Sequence, residues 1–351
     1  MVFNQITSIP VIIERVNLET LNFRSLFEKY NLSFGNIMIF TGTNFSAEIT
    51  NRIYSNNKDA FNISVINNIG NDKNAIDELS NKYRLDEFNL VVGIGGGRIL
   101  DSAKYFASKM MINFISIPTI ISNDSIISPI SILENNGRVE PFASGIPSGV
   151  LIDREVISKS PHKFILSGIG DILANRSAIY DWDLAISKGR AKSNSLAKIL
   201  STLSVTNIIN YEICQDDVEF IESFINSTII GGMAMNISGD TRPSSGAEHL
   251  ISHVLIKYNL SSYSHGFQVG SVTPFILWLH KETEIKYFRY FKENRFYWNF
   301  TELLDRGEIS LENLFQEARI IRNNRYTILN EYSDADLVCC YEEYLRFMEK
   351  I

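Results

Sequence analysis

Three of the five histidines in this 351-residue chain lie between positions 249 and 265. His249 and His253 are four residues apart and share one face of a predicted helix, and His265 follows after a predicted turn. Together with Asp171, His249 and His265 could supply three ligands to one divalent metal ion. Two imidazoles and one carboxylate with open coordination positions are typical of a catalytic metal site, and both zinc and ferrous iron suit them.

The same spacing has a second interpretation, in which His249 and His253 are ordinary helix histidines that contact other partners. Glu248 is not expected to join the cluster, because neighbouring side chains on an ideal helix point about 100° apart. The residue types alone leave both interpretations open.

A second chemical pattern is the run Gly95, Gly96 and Gly97, which follows an apolar segment and precedes a helical one. Without Cβ atoms the backbone can approach a ligand closely, and the free N–H groups of the following helix can bind a phosphate. The spacing differs from the usual dinucleotide fingerprint, since Arg98 occupies the position of the third glycine. The pattern therefore predicts either a phosphate-binding turn or an ordinary tight turn after the third strand.

The elements that must position these residues change in type along the chain. Before residue 154, short apolar runs alternate with helical patterns, which predicts a parallel sheet covered on both faces. The predicted strands are Asn36–Thr41, Phe61–Asn67, Asn89–Ile94, Asn113–Ile117 and Gly149–Asp153.

After residue 154 the pattern becomes helical. Helices are expected near 171–189, 193–213, 216–236, 245–257, 266–282 and 310–321. In this prediction Asp171 stands at the opening of a helix, directly after Gly168-Ile169-Gly170. The predicted fold class is a Rossmann-like α/β dinucleotide-binding domain, residues 1–158, followed by an all-α metal- and substrate-binding domain, residues 159–351.

Composition limits the class of protein. Hydrophobic residues make up 45% and charged residues 21% of the chain, a balance typical of globular proteins. A net charge of −7 argues against a general nucleic-acid surface. Three cysteines without metal spacing, and no signal-peptide or membrane-span pattern, lead us to expect a cytoplasmic protein that does not insert into a membrane.

Six blocks of the sequence resemble the iron-containing alcohol dehydrogenase and dehydroquinate synthase superfamily, and within it the sn-glycerol-1-phosphate dehydrogenases. They occur in family order across most of the chain and are specific together rather than singly. The blocks are residues 95–104, 116–129, 167–185, 242–253, 265–270 and 322–329.

The resemblance implies roles for individual residues. The metal ligands would be Asp171, His249 and His265, and the substrate would contact Asp124, near the nicotinamide, and His253. The implied cofactor contacts are Gly95, Gly96, Gly97, Asp101, Thr119, Ser122 and Ser128. Phe267 departs from the family, which usually has an acidic residue after the His-Gly pair.

The resemblance also implies an activity. We expect a metal-dependent dehydrogenase that uses NAD or NADP on a small polyol phosphate, namely dihydroxyacetone phosphate and sn-glycerol 1-phosphate. Alternatives are a glycerol or other alcohol dehydrogenase, a dehydroquinate synthase-like lyase, and a non-catalytic NAD-binding relative. Zinc is the first choice of metal, with iron or nickel as alternatives, and a homo-oligomer is expected.

Two further expectations concern the helical part of the chain. Phosphate recognition needs a cation, for which Arg242 and Lys257 are candidates. The aromatic runs at 287–291 and 296–298 are expected to form core or a subunit contact.

Overall fold

A parallel sheet forms the core of the first part of the chain. The computed structural model describes residues 10, 12–83 and 87–351. In the described residues before His162 the sheet has six strands, in the order β1-β8-β5-β4-β2-β3, and every neighbouring pair is parallel. The strands of this part of the chain are β1 (Ile12–Arg15), β2 (Asn36–Thr41), β3 (Asn62–Asn67), β4 (Leu90–Gly95), β5 (Asn113–Pro118), β6 (Ile130–Asn135), β7 (Arg138–Ala143) and β8 (Gly149–Ile152).

Helices connect these strands and cover the sheet. Every residue of β4 is buried, as expected for an apolar strand in the middle of a sheet with both faces covered. One face of the helix that follows β4 carries Leu100, Ala103 and Phe106, which are fully buried. The helices are α1 (Phe23–Lys29), α2 (Phe45–Asn57), α3 (Lys73–Lys82), α4 (Gly97–Met110) and α5 (Arg154–Ser158).

The five strands predicted from sequence are present, with ends that shift by at most one residue. The α/β fold class with a parallel sheet is therefore confirmed. The edge strand β1 was not predicted, so the glycine run follows the fourth strand along the chain and not the third. The antiparallel hairpin of β6 and β7 was also missed, although Asn136 and Gly137 carry the turn signal and both adopt positive φ.

The residues from His162 onward are helical and form a second compact unit, which is divided from the first between Pro161 and His162. Its helices are α6 (His162–Ser187), α7 (Ser195–Ile208), α8 (Val218–Ser238), α9 (Ala247–Lys257), α10 (His265–Leu279), α11 (Ile285–Glu293), α12 (Leu311–Ile321) and α13 (Asp334–Lys350). The assignment of cofactor binding to the first unit, and of metal and substrate binding to the second, stays a prediction.

Two expectations about this unit were wrong. Asp171 does not open a helix but lies inside α6, which begins at His162 directly after Pro161. The glycines at 168 and 170 suggested a break, yet the helix continues through them. Helices α11 and α13 were not predicted. The aromatic run at 287–291 contributes Tyr287, Phe288, Tyr290 and Phe291 to the core.

Within the described part of the chain, no helix has the length and apolar character that crossing a bilayer requires. Residues 1–9 and 11, on which part of the signal-peptide prediction rests, lie outside the described residues.

Candidate functional site

Three helices of the second unit bring the predicted metal ligands together. Asp171 on α6, His249 on α9 and His265 at the first position of α10 each offer one ligand atom, and these atoms all lie within 4.8 Å of one another. Nε2 of His249 is 3.5 Å from Oδ1 of Asp171. The ring centroids of His249 and His265 are 5.1 Å apart. A carboxylate oxygen and two ring nitrogens at this spacing suit one divalent cation.

Close packing of α6 against α10 makes this convergence possible. A Cβ atom on Gly170 would lie 2.2 Å from the carbonyl oxygen of Gly266, and one on Gly266 would lie 2.0 Å from the carbonyl oxygen of Ser167. The two backbones therefore touch where neither residue has a side chain. Asp171 and His265 are the chain neighbours of these glycines, so the contact between the backbones sets the distance between the two ligands.

Glu248 orients the first histidine. Its side chain is fully buried, and Oε1 is 3.0 Å from Nδ1 of His249. The same carboxylate accepts hydrogen bonds from the backbone N–H of Gly246 at 2.6 Å and from the hydroxyl of Ser177 at 2.9 Å. As expected, Glu248 is not part of the converging ligand set, and its side chain instead folds back over the N-terminus of α9 to support His249. The bond to Nδ1 leaves Nε2 of His249 facing Asp171.

A chain of hydrogen bonds fixes the tautomer of the second histidine. The amide group of Gln268 donates to the carbonyl oxygen of Tyr263 at 2.8 Å, so Oε1 of Gln268 accepts from the hydroxyl of Ser252 at 2.8 Å. The Ser252 oxygen, 2.9 Å from Nδ1 of His265, is then the acceptor for that nitrogen's proton. Nε2 of His265 consequently carries a lone pair that can bind a metal ion.

The titration of the two histidines matches this arrangement. Burial lowers the pKa of His249, but hydrogen bonds to Asp171 and Glu248 outweigh it and raise that pKa to about 9. Burial and the charge of His249 lower the pKa of His265 to about 4. Near neutral pH the metal-free protein therefore has a doubly protonated, positively charged His249 and a neutral His265.

His253 lies beside the cluster but is not part of the converging ligand set. Its ring stacks on His265 with centroids 5.9 Å apart and planes inclined by 10°. In the described part of the chain its ring nitrogens have no hydrogen-bond partner. Burial, followed by the charge of Arg322, lowers the pKa of His253 well below its usual value, so the ring is neutral at physiological pH.

The glycine-rich turn lies in the first unit, at the carboxyl end of β4. Gly96 is the N-cap residue of α4 and provides no side-chain cap, which leaves N–H groups of the first helical turn open to a ligand. A Cβ atom on Gly96 would lie 2.9 Å from Ile120, and one on Gly97 would lie 2.8 Å from the hydroxyl oxygen of Ser125. Strand order reverses between β2 and β4, and crevices at such points commonly bind ligands.

The other residues predicted to contact the cofactor, and Asp124, which was predicted to contact the substrate, differ in their surroundings. The backbone N–H of Thr119 donates to the carbonyl oxygen of Gly95 at 3.0 Å, which holds the end of β5 against the glycine turn. Asp124 begins a short 3-10 turn, and its carbonyl oxygen accepts from the N–H of Ser128 at 2.9 Å. The hydroxyl of Ser128 donates to the carbonyl oxygen of Ile130 at 3.2 Å, and Ser122 is half-buried in the preceding loop.

Asp101 has partners that the sequence did not indicate. Its carboxylate is buried, lies 3.1 Å from Nζ of Lys104 and accepts from the N–H of Ile132 at 3.2 Å. Lys104 also donates to the carbonyl oxygens of Ser125 and Ser128. The pair thus joins α4 to the loop that contains Asp124. The assignment of Asp101 to the cofactor stays a prediction.

Comparison with known proteins identifies the family of the chain. The sequence profile of the iron-containing alcohol dehydrogenase family matches residues 21–161. A glycerol-1-phosphate dehydrogenase [NAD(P)+] from Methanosarcina mazei is 33% identical over 256 residues, which cover 72% of each chain. The chain belongs to the glycerol-1-phosphate dehydrogenase family.

Solved structures of other iron-containing alcohol dehydrogenase relatives share the fold. A glycerol dehydrogenase from Schizosaccharomyces pombe has a TM-score of 0.76 at 17% identity, over 97% of this chain and 90% of that one. A sulfoacetaldehyde reductase from Bifidobacterium kashiwanohense, solved in complex with NAD+, has a TM-score of 0.67 at 17% identity, over 98% and 99% of the two chains.

Phe267, where the resemblance implied an acidic residue, lies among aromatic side chains. Its ring stacks on Tyr263 and on Phe296, with centroids 5.3 and 5.5 Å away, and meets Tyr297 edge-on. Phe267 thus belongs to an aromatic cluster at the start of α10. Phe296 and Tyr297, from the second aromatic run that was predicted as core or subunit contact, are part of this cluster.

Proposed function

We propose that this protein is a metal-dependent oxidoreductase that transfers hydride between NAD(P)H and dihydroxyacetone phosphate to form sn-glycerol 1-phosphate. The observation that carries the proposal is the approach of Asp171, His249 and His265 to within 4.8 Å in a family member. The relative from Methanosarcina mazei is named glycerol-1-phosphate dehydrogenase. The glycine-rich turn adds open backbone N–H groups that suit a phosphate of a dinucleotide.

The donor set, in which His249 is buried and Asp171 and His265 are partly buried, fits a divalent metal ion. It combines one carboxylate with two imidazoles whose Nδ1 atoms are both engaged elsewhere, so each ring has only Nε2 left for a ligand. A metal ion bound there would polarise the substrate carbonyl and stabilise the negative charge that develops on its oxygen during reduction. Zinc is our first choice because it commonly binds histidine with carboxylate, and iron or nickel are the alternatives.

The remaining roles belong to the chain's own side chains and backbone. We assign His253 to orienting the substrate and exchanging a proton with its oxygen, since a neutral imidazole can both donate and accept. Asp124 would contact the substrate near the nicotinamide. Gly95, Gly96 and Gly97 would hold the cofactor pyrophosphate, with Thr119, Ser122 and Ser128 along the cofactor. Hydride chemistry itself comes from the nicotinamide.

A second candidate function is oxidation of glycerol or another unphosphorylated alcohol. The structural similarity to a glycerol dehydrogenase favours it, and dihydroxyacetone compared with its phosphate distinguishes the two. We also infer that the protein is a homo-oligomer, because Leu196, Ile199 and Leu203 form an exposed apolar stripe on one face of α7. Sedimentation at the mass of one chain would contradict that inference.

The activity test removes the metal and one ligand. Wild-type protein should consume NADH or NADPH in the presence of dihydroxyacetone phosphate, and a chelator should abolish this consumption until a divalent metal is restored. His265→Ala should lose its bound metal and at least about 100-fold in turnover, while circular dichroism stays unchanged.

His162→Ala is the matched control, since His162 is exposed and its Nδ1 contacts only Gln215. It should retain both metal and activity. Turnover that survives complete removal of the metal, with the same rate in His265→Ala, would overturn the proposed mechanism.

A further inference from the structure

Three arginines flank the packed helices α9 and α12, since Arg242 precedes α9 and Arg322 and Arg325 follow α12. Arg242 and Arg325 are only 7% and 6% exposed, and Arg322 follows directly after α12. Arg325 donates to the carbonyl oxygen of Ser245 at 3.0 Å, two residues before α9 begins. Arg242 donates to the carbonyl oxygen of Tyr326 at 3.4 Å. Arg242, Arg322 and Arg325 are referred to below as the arginine cluster.

The arginine cluster has more positive than negative charge. In the described residues Asp240 is the carboxylate at ion-pair distance, 3.3 Å from Arg325 and 3.9 Å from Arg242. Asp181 and Glu248 act on the cluster only through space. Their oxygens are engaged by backbone N–H groups and by His280 and His249 respectively. Buried cations are costly without a matching anion, so the cluster is short of negative charge.

Arg322 carries the unmatched charge. Within the part of the chain that the structure describes, its guanidinium makes neither a hydrogen bond nor an ion pair. Arg322 lies at the end of α12, which packs against α9, and its carbonyl oxygen accepts from the N–H of Arg325 at 2.8 Å, so burial lowers its pKa beside the other two arginines. Burial, together with the charges of Arg322 and Arg242, also lowers the pKa of Arg325 to about 10, despite Asp240.

Two hydroxyl groups beside the cluster also lack partners. The side-chain oxygens of Ser244 and Ser245 are buried, and neither has a hydrogen-bond partner in the described structure. The residues are 8% and 7% exposed. Ser245 is the residue whose carbonyl oxygen Arg325 holds. Unpartnered buried hydroxyls are uncommon, and an anion with several acceptor oxygens would satisfy such donors.

We propose that the arginine cluster is the subsite for the phosphate group of the triose phosphate substrate, with Arg322 as its principal contact. The inference rests on the proposed function and adds the residues that select a phosphorylated substrate. A phosphate monoester carries a charge of about −1.5 to −2 at neutral pH, which offsets the excess charge of the cluster. A guanidinium matches it with two parallel N–H···O bonds.

The sequence had named Arg242 and Lys257 as candidates for this task. Lys257 is excluded by its position, because its Nζ is 3.0 Å from Glu317 at an exposed site. Arg242 belongs to the cluster, but its guanidinium already contacts the carbonyl oxygen of Tyr326 and the carboxylate of Asp240. Arg322 opens the block 322–329 that resembles the family, but the sequence alone assigned it no role.

The test compares two substrates in Arg322→Ala, Arg322→Lys and Lys257→Ala. Arg322→Ala should raise the KM for dihydroxyacetone phosphate about 100-fold, the size expected when one charge-assisted contact to a buried anion is lost. Its kcat/KM for unphosphorylated dihydroxyacetone should stay within about threefold of wild type. Arg322→Lys should have an intermediate KM for dihydroxyacetone phosphate, since lysine keeps the positive charge but lacks the two parallel N–H donors of a guanidinium. Lys257→Ala should have the same KM as the wild type.

Binding of inorganic phosphate gives a readout that does not require turnover. Calorimetry should detect phosphate binding to the wild-type protein and to Lys257→Ala, and the affinity should fall at least about tenfold in Arg322→Ala. Affinities for NADH and NADPH should be unchanged by the same substitution, which assigns the subsite to the substrate phosphate and not to a cofactor phosphate.

The outcomes separate the two proposals. A wild-type protein that reduces neither substrate refutes the proposed function, while phosphate calorimetry still tests the subsite. A wild-type enzyme that prefers the phosphorylated substrate, with the same preference in Arg322→Ala, refutes the subsite alone. Equal losses on both substrates, or a selective loss of NADPH binding, would also overturn it.

Discussion

Glu248 and Ser252 determine which nitrogen of each candidate ligand histidine faces the metal centre. Both engage Nδ1, and both are themselves held by further buried hydrogen bonds. The rings therefore need little reorganisation when a metal ion binds. Such supporting residues affect metal affinity almost as much as the ligands do.

At this scale we predict that Glu248→Gln weakens metal binding by about 10- to 100-fold. The substitution keeps the size of the side chain but removes the charge that accepts from Nδ1–H of His249. Affinity is measured by competition with a chromophoric chelator. Glu308→Gln, at an exposed position, is the matched control and should leave the affinity unchanged. Equal affinities in both variants would show that Glu248 has only a packing role.

The pH dependence of metal uptake follows from the raised pKa of His249. Below a pH of about 9, the pKa of His249, the ring of His249 in the metal-free protein holds a second proton on Nε2. This second proton must leave before Nε2 can bind a metal ion. Apparent affinity should therefore fall about tenfold for each unit that the pH drops below that value, and uptake should release one proton. Calorimetry in buffers of different ionisation enthalpy measures that release. An affinity that is flat between pH 6 and about 8 would contradict the assignment.

At the scale of elements, the glycines of α6 and α10 set the geometry of the site. Two helices whose backbones touch cannot accept a methyl group at the contact without moving apart. Gly270 belongs to the same contact, since its Cβ would lie 2.7 Å from Cα of Gly170. Asp181 on α6 adds a second connection, because it accepts from the N–H of Ala247 at the start of α9 and from the ring of His280 after α10.

We predict that Gly266→Ala lowers the free energy of unfolding by about 1–3 kcal/mol and weakens metal binding as well. The added Cβ would lie 2.0 Å from the carbonyl oxygen of Ser167, so α10 must shift and carry His265 with it. Urea denaturation and metal titration measure the two effects. Gly35→Ala is the control, since nothing lies within 4 Å of its Cβ position. Undiminished metal affinity in Gly266→Ala would refute the proposed role of this contact.

At the scale of the whole molecule, the two units provide different kinds of site. The first presents backbone N–H groups at the end of a parallel strand, a feature suited to a phosphate of a dinucleotide. The second presents side chains from several helices around a buried centre, a feature suited to a cation and an anionic substrate. Asp101 and Lys104 in the first unit form a buried ion pair that joins α4 to the loop that contains Asp124.

The sequence by itself determined the fold class, the strands β2 to β5 and β8, and the identity of the converging triad. Short apolar runs indicate strands that are buried in a parallel sheet. The blocks that resemble the family indicate which residues bind the metal ion. The sequence placed the start of α6 wrongly, because the helix start was judged from local glycines, and it did not reveal that Glu248 supports His249.

Only the tertiary structure decided which side chains support the triad and which arginine lacks a partner. Ser252, Gln268 and Arg322 belong to different helices or helix ends, and their roles depend on distances between segments remote in the chain. Local pattern carries no information about such distances, since they arise from how α6, α9 and α10 pack. A hydrogen bond or an unmatched charge becomes visible only when that packing is known.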